Sequence, residues 1–171
     1  MKRQCGDCSL CCKLLPVKEV DKDANTRCTF QRFHKGCSVY HTPKMPMSCH
    51  MWSCMWLLSN DTSELQRPDK THYVIDCMPD AIGVLNNETG EQQVLPVVVI
   101  WCDPKYPDAH RDPLLREYLL RRANEGIACM VRYDSYKTLI IFAPQLCSER
   151  RWMEVAGQAS TREEVNALRR S

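Results

Sequence analysis

Eight of the twelve cysteines stand within the first 54 residues. The densest group, Cys5, Cys8, Cys11 and Cys12, spells C-x-x-C-x-x-C-C, and Cys28, Cys37, Cys49 and Cys54 follow it. Thiolates are soft, strongly coordinating ligands, and a gap of two residues lets one tight turn aim two sulfurs at the same ion. All eight are therefore candidate metal ligands. Tetrahedral zinc takes four ligands, so eight cysteines allow two closed sites, one shared polynuclear site, or one site beside buried free thiols. Side chains of neighbouring residues in an extended stretch point to opposite sides. On that reading, either Cys11 and Cys12 serve two metals or one of them packs as a small hydrophobe.

Zinc is placed ahead of iron as the cofactor, with an iron–sulfur cluster as the alternative. C-x-x-C-x-x-C also opens a bacterial ferredoxin run, but that run continues to Cys-Pro after a three-residue gap, whereas here Cys12 follows Cys11 directly. His34, His41 and His50 lie inside the cysteine-rich segment and could complete a site of three cysteines and one histidine. A disulfide framework is disfavoured. Met1 to Gln4 is polar and lacks the apolar run of an export signal, and 171 residues can bury a core without staples. The thiols are expected to stay reduced in a cytoplasmic protein.

The ordered set Cys5-Gly6-Asp7-Cys8-Ser9-Leu10-Cys11-Cys12, Cys28-Thr29-Phe30, Gly36-Cys37-Ser38-Val39-Tyr40 and Pro46-Met47-Ser48-Cys49 resembles the bacterial C-x-x-C-x-x-C-C cysteine-cluster family, described as zinc- or iron-chelating domains. The resemblance covers about the first third of the chain and implies thiolate-bound zinc or iron. Family members carry Arg-Pro before the later cysteine and Arg after it, where this chain has Met45-Pro46 and His50. Some relatives with such a cluster are implicated in lysine methylation of flagellin. This chain shows no G-x-G nucleotide fingerprint, so a methylase-like activity is carried only as an alternative.

With 44% hydrophobic and 26% charged residues, the chain reads as an ordinary soluble protein. Its apolar runs fall well short of the roughly 20 residues that span a bilayer. Residues 1 to 58 hold 9 Lys and Arg against 4 Asp and Glu, whereas residues 59 to 171 hold 14 against 17. That basic excess offsets an anionic thiolate cluster more simply than it marks a nucleic-acid footprint, because no basic stripe accompanies it.

Two regions must position these ligands: a cysteine-rich metal-binding module over residues 1–58 and an α+β domain over residues 59–171. Turn signals dominate the first, with a short helix expected within Met47 to Leu58 that brings in Cys54. Residues 59–71 read as a loop. Tyr73 to Cys77, Ala81 to Leu85 and Gln92 to Trp101 read as strands, the last two joined through Asn86 to Gly90. Asp112 and Pro113 cap a helix bearing Leu115, Tyr118, Leu119 and Ala123, and Gly126 marks its end. Ile127 to Arg132 and Lys137 to Phe142 form a second hairpin. Ser148 caps a short helix carrying Trp152, Met153 and Val155, and Thr161 with Glu164 opens a final helix through Leu168. The expected fold is α+β: a metal-organised, cysteine-rich N-terminal module packed on a mainly antiparallel sheet with helices on one face.

Cys77, Cys102, Cys129 and Cys147 read as core thiols, and His72 and His110 as surface residues. Tyr40 is expected to pack in the core or over the site. Trp52, Trp56 and Met51 seal the cluster from water or form an exposed docking patch. Asp103, Asp108, His110 and Asp112 read as a solvated loop with a helix cap. No spacing announces a nucleophile or a carboxylate pair, so catalysis is neither assigned nor excluded. The leading expectation is a structural metal site. A cluster-dependent modifying or redox enzyme and a protein-interaction adapter stand behind it.

Overall fold

Every position from Val97 to Cys102 is apolar, the pattern of a strand covered on both faces. The computed structural model describes residues 3–86, 89–134 and 136–157, and there the run forms the inner half of β5 (Gln92–Cys102). Its side chains alternate. Val97, Val99 and Trp101 enter one core cluster, while Ile100 and Cys102 enter another across the sheet.

β5 is the axis of a six-stranded sheet. Its inner half pairs antiparallel with β3 (Tyr73–Ile75) and its outer half with β4 (Asp80–Leu85). On its other edge it pairs with β6 (Ala128–Arg132), followed in order by β7 (Thr138–Phe142) and β8 (Met153–Gly157). The β6–β7 and β7–β8 pairs are antiparallel, but β5 and β6 run parallel. Parallel neighbours need a long crossover, and α5 (Pro113–Ala123) supplies it. The fold is α+β with a mainly antiparallel sheet and one parallel step.

Local chemistry explains α5. The Asp112 carboxylate accepts from the Leu114 amide at 3.0 Å, Pro113 occupies the first turn, and Gly126 at φ +76° lies just beyond the end. Leu115, Tyr118, Leu119 and Ala123 recur at helical spacing and are all buried; the first three lie against Tyr73, Ile75, Ile100 and Val131 in one cluster.

The opposite face is covered by the cysteine-rich segment. Leu14, fully buried in α1 (Cys11–Leu14), packs with Val74, Val97, Val99, Trp101 and Met130, and Leu10, Leu15, Trp52 and Leu57 pack around them. So α5 covers one face, joined there by Leu65, Met55 and Trp56, while α1, Trp52 and Leu57 belong to the other. That segment contains little regular structure. It comprises α1, a hairpin of β1 (Gln31–Arg32) and β2 (Gly36–Cys37), α2 (Met47–Met51) and α3 (Met55–Leu58).

Two expectations need correction. Residues 59–71 contain a 3₁₀ turn, Asn60–Thr62, and α4 (Pro68–Thr71), which starts on Pro68 as a first-turn proline. Met153–Gly157 is an edge strand and not a helix, because the free edge of β7 offers backbone partners that the local pattern does not reveal. The expected final helix from Thr161 to Leu168 lies outside the described residues. Among the described residues, no helix is long and apolar enough to cross a membrane.

Candidate metal centre

Cys5 and Cys8 flank a turn in which the Cys8 amide donates to the Cys5 carbonyl at 3.0 Å and Gly6 takes φ +56°. Cys11 and Cys12 open α1, so they sit about 100° apart around a helix axis and do not alternate across an extended strand as expected. Cys28 hangs from α1, its amide donating to the Cys12 carbonyl at 3.1 Å. Cys37 lies opposite Gln31 in the β1–β2 ladder, and the Gln31 amide donates to the Cys28 carbonyl at 3.0 Å. The Gln31 side chain also donates to the carbonyl and hydroxyl oxygens of Ser9, at 3.1 and 2.9 Å. Cys49 rides on α2, which is held where the Ser48 amide and hydroxyl donate to the Glu19 carboxylate at 2.8 and 2.9 Å. Cys54 caps α3.

All eight of these thiols line one cavity of about 330 Å³. Leu15, Val17, Phe30, Trp52, Leu57 and Val74 add apolar wall, and Val74 belongs to the sheet beneath. Sulfur is the dominant donor, since no carboxylate or imidazole is among the described lining residues. A soft metal fits such a set. Among the described residues, no three His, Cys, Asp or Glu side chains stand close enough to hold an ion in their present rotamers. The eight thiols line the space without presenting a ready ligand set, so ligation requires their side chains to rearrange.

Burial pushes the Cys5 thiol up to about 12, and the neighbouring sulfurs of Cys8, Cys54 and Cys12 push in the same direction. Burial likewise raises Cys8, Cys37, Cys49 and Cys54. Cys11 and Cys12 are linked: the hydrogen bond between them raises Cys11 and lowers Cys12. Most of these thiols therefore hold their protons at neutral pH, and a metal ion would have to displace them.

Lys35 lines the cavity, and two further cations that the sequence did not single out, Lys22 and Arg67, stand near its thiols. Lys22 is only 6% exposed, and its ammonium donates to the carbonyls of Lys13, Leu15 and Asp23 at the end of α1. Burial lowers its proton affinity, while the facing thiols of Cys28, Cys12, Cys11 and Cys49 act in the opposite sense. Arg67 pairs with Asp7 at 2.6 Å and grips Asp69 through two bonds of 2.6 and 2.9 Å, which sets it beside the Cys5–Cys8 turn. A lysine six residues before Cys28 carries no local signal of burial; only the packing of α1 places it there.

The other assignments divide. Cys102 and Cys129 are buried in the core, and Cys147 is half-buried against it, its thiol 3.5 Å from the Ala143 carbonyl. Cys77 is half-buried, and all twelve cysteines are free thiols. His34 meets Phe33 edge-on and His41 lies tilted against Tyr40, at ring distances of 3.9 and 4.0 Å, and neither they nor His50 line the cavity. Tyr40 does line it while remaining partly exposed. The Trp52 and Trp56 indoles are half-buried and donate to Asp76 at 2.7 Å and to the Leu65 carbonyl at 3.0 Å; Met51 is exposed. His110 is not a surface residue. It is buried, with Nδ1 2.8 Å from the Tyr133 hydroxyl, because the loop carrying it folds under α5. Asp103 is buried as well and pairs with Lys13 of α1, whereas Asp112 is the helix cap.

No family model, curated protein or solved structure matches this chain.

Proposed function

We propose that the chain is a cytoplasmic metal-binding protein in which Cys5, Cys8, Cys11, Cys12, Cys28, Cys37, Cys49 and Cys54 hold zinc, or alternatively iron or an iron–sulfur cluster. The metal's role is structural: it organises residues 1–58 on the α+β domain. One observation carries this reading. Eight thiols from six backbone elements line a single cavity, while the four later cysteines stay out of it. Among the described residues, the segment up to residue 58 contains no helix longer than five residues and no strand longer than two, so turns and single hydrogen bonds, not extended ladders, hold it in shape. Cross-links through a metal would supply that order, since binding free energy at a structural site is folding free energy. The cysteine spacing, through its resemblance to the zinc- or iron-chelating family, points the same way.

Metal analysis of anaerobically purified protein tests the proposal. Zinc near stoichiometry supports it, iron with acid-labile sulfide selects the alternative cofactor, and metal-free protein rejects both. A cluster-dependent enzyme of redox transfer or protein modification is the second reading, favoured by the cavity's breadth. At about 330 Å³ the cavity reaches the lower bound of small-ligand pockets, roughly 300 Å³. Visible absorbance that bleaches on reduction distinguishes a redox centre from colourless zinc.

A further inference from the structure

A single ion with zinc–sulfur bonds of about 2.3 Å fills a sphere of roughly 50 Å³ and accepts four thiolates. The cavity is several times larger and presents eight thiols. These thiols divide by the framework that holds them. On one wall, the Arg3 guanidinium donates to the Trp56 carbonyl and to the Thr62 hydroxyl at 2.9 Å, drawing the N-terminal segment, and with it the Cys5–Cys8 turn, against Cys54 at the head of α3. Arg67, paired with Asp7, backs that wall. On the other wall, Cys28 is bonded to the Cys12 carbonyl, Gln31 ties Cys28 to the hairpin bearing Cys37, and Glu19 clamps the helix bearing Cys49. Lys22 backs this second wall.

Cys11 and Cys12 lie on the dividing line. Successive positions on a helix diverge by about 100°, so the two side chains leave α1 in different directions while their thiols stay in contact at the seam.

We propose that the eight thiols form two four-sulfur metal centres, Cys5, Cys8, Cys11 and Cys54 in one and Cys12, Cys28, Cys37 and Cys49 in the other, joined at the Cys11–Cys12 peptide. The inference rests on the metal-binding reading above and adds the number of centres and the membership of each. A divalent ion with four thiolates has a net charge of −2, so each centre needs a nearby cation. Arg67 serves the first and Lys22 the second.

The test counts metal per chain in anaerobically purified wild type and in two double variants, Cys5→Ser with Cys54→Ser and Cys28→Ser with Cys49→Ser. Each double variant is expected to keep half of the wild-type metal. If either loses all of it while still folded by circular dichroism, the eight sulfurs share one centre and the division is overturned, although metal binding itself survives. Metal-free wild type would overturn both. Two variants that keep every thiol guard against misfolding. Arg67→Met and Lys22→Met should each speed release of half of the metal to a chelator by about 10–100-fold, the usual range for loss of a supporting group, and leave the other half at its wild-type rate. Acceleration of the entire metal pool by both variants would overturn the proposal.

Discussion

Replacing Lys13 by Met would strand a carboxylate inside the protein. Asp103, at the end of β5, is 4% exposed and receives the Lys13 ammonium from α1. Its one other side-chain bond comes from the Lys105 amide, at 3.1 Å. Removing one partner of a buried pair costs about 3–5 kcal/mol, because the remaining charge is left without compensation. The Lys105 bond and the partial exposure of Lys13 put this case at the lower end, about 3 kcal/mol. For a chain of this size, that lowers Tm by roughly 6–12 °C. Adding Asp103→Asn removes the orphaned charge, so the double variant should recover about 1.5 kcal/mol or more relative to additivity. Guanidinium unfolding of the purified proteins at fixed pH measures all three. If Lys13→Met fell within about 0.5 kcal/mol of wild type, the cost of an ordinary surface change, or if the two substitutions simply added, α1 would not be anchored to the sheet in this way.

Other substitutions probe the same framework. Leu14→Ala empties a fully buried site between α1 and the sheet and should cost about 3–5 kcal/mol by denaturant titration, whereas a cost under about 1 kcal/mol would mean that α1 does not pack there. A Cβ on Gly36, at φ +79°, would stand 2.7 Å from the Gly6 carbonyl oxygen, whereas Gly90, at φ +71°, has nothing within 4 Å. Gly36→Ala should therefore destabilise by about 1–3 kcal/mol beyond backbone strain alone, read as its excess over Gly90→Ala in parallel melts. Burial holds His110 below the ordinary imidazole value of 6.5. The unfolded chain then binds the proton first as pH falls, so stability is full above about pH 6.5 and declines below it until the folded pKa is reached. Melts from pH 7.5 to 5 should show this slope in wild type and a smaller one in His110→Gln; identical slopes would rule out the contribution.

Much of the sheet is legible from local pattern. The apolar run in β5, the turn between β4 and β5, and the Asp112-Pro113 start of α5 each depend on residues only a few positions apart. The strand Met153–Gly157 is different. Its residues would suit a short helix as well, and the open edge of β7 decides between the two. The parallel step between β5 and β6 is equally hidden, because register across a crossover depends on how α5 packs and not on either strand alone.

At the candidate site, spacing alone singled out the eight cysteines, since clustered thiols have few other uses in a reduced protein. The sequence could not reveal that they line one cavity or which cations stand near them. Lys13 is separated from Asp103 by 90 positions, and nothing in either neighbourhood marks the pairing. Donor chemistry belongs to residue type and survives in the linear chain. Burial, the choice of partner and the gathering of the sulfurs around one cavity arise only when Leu14 and its neighbours dock on the sheet, because those properties depend on distances that the chain acquires by folding.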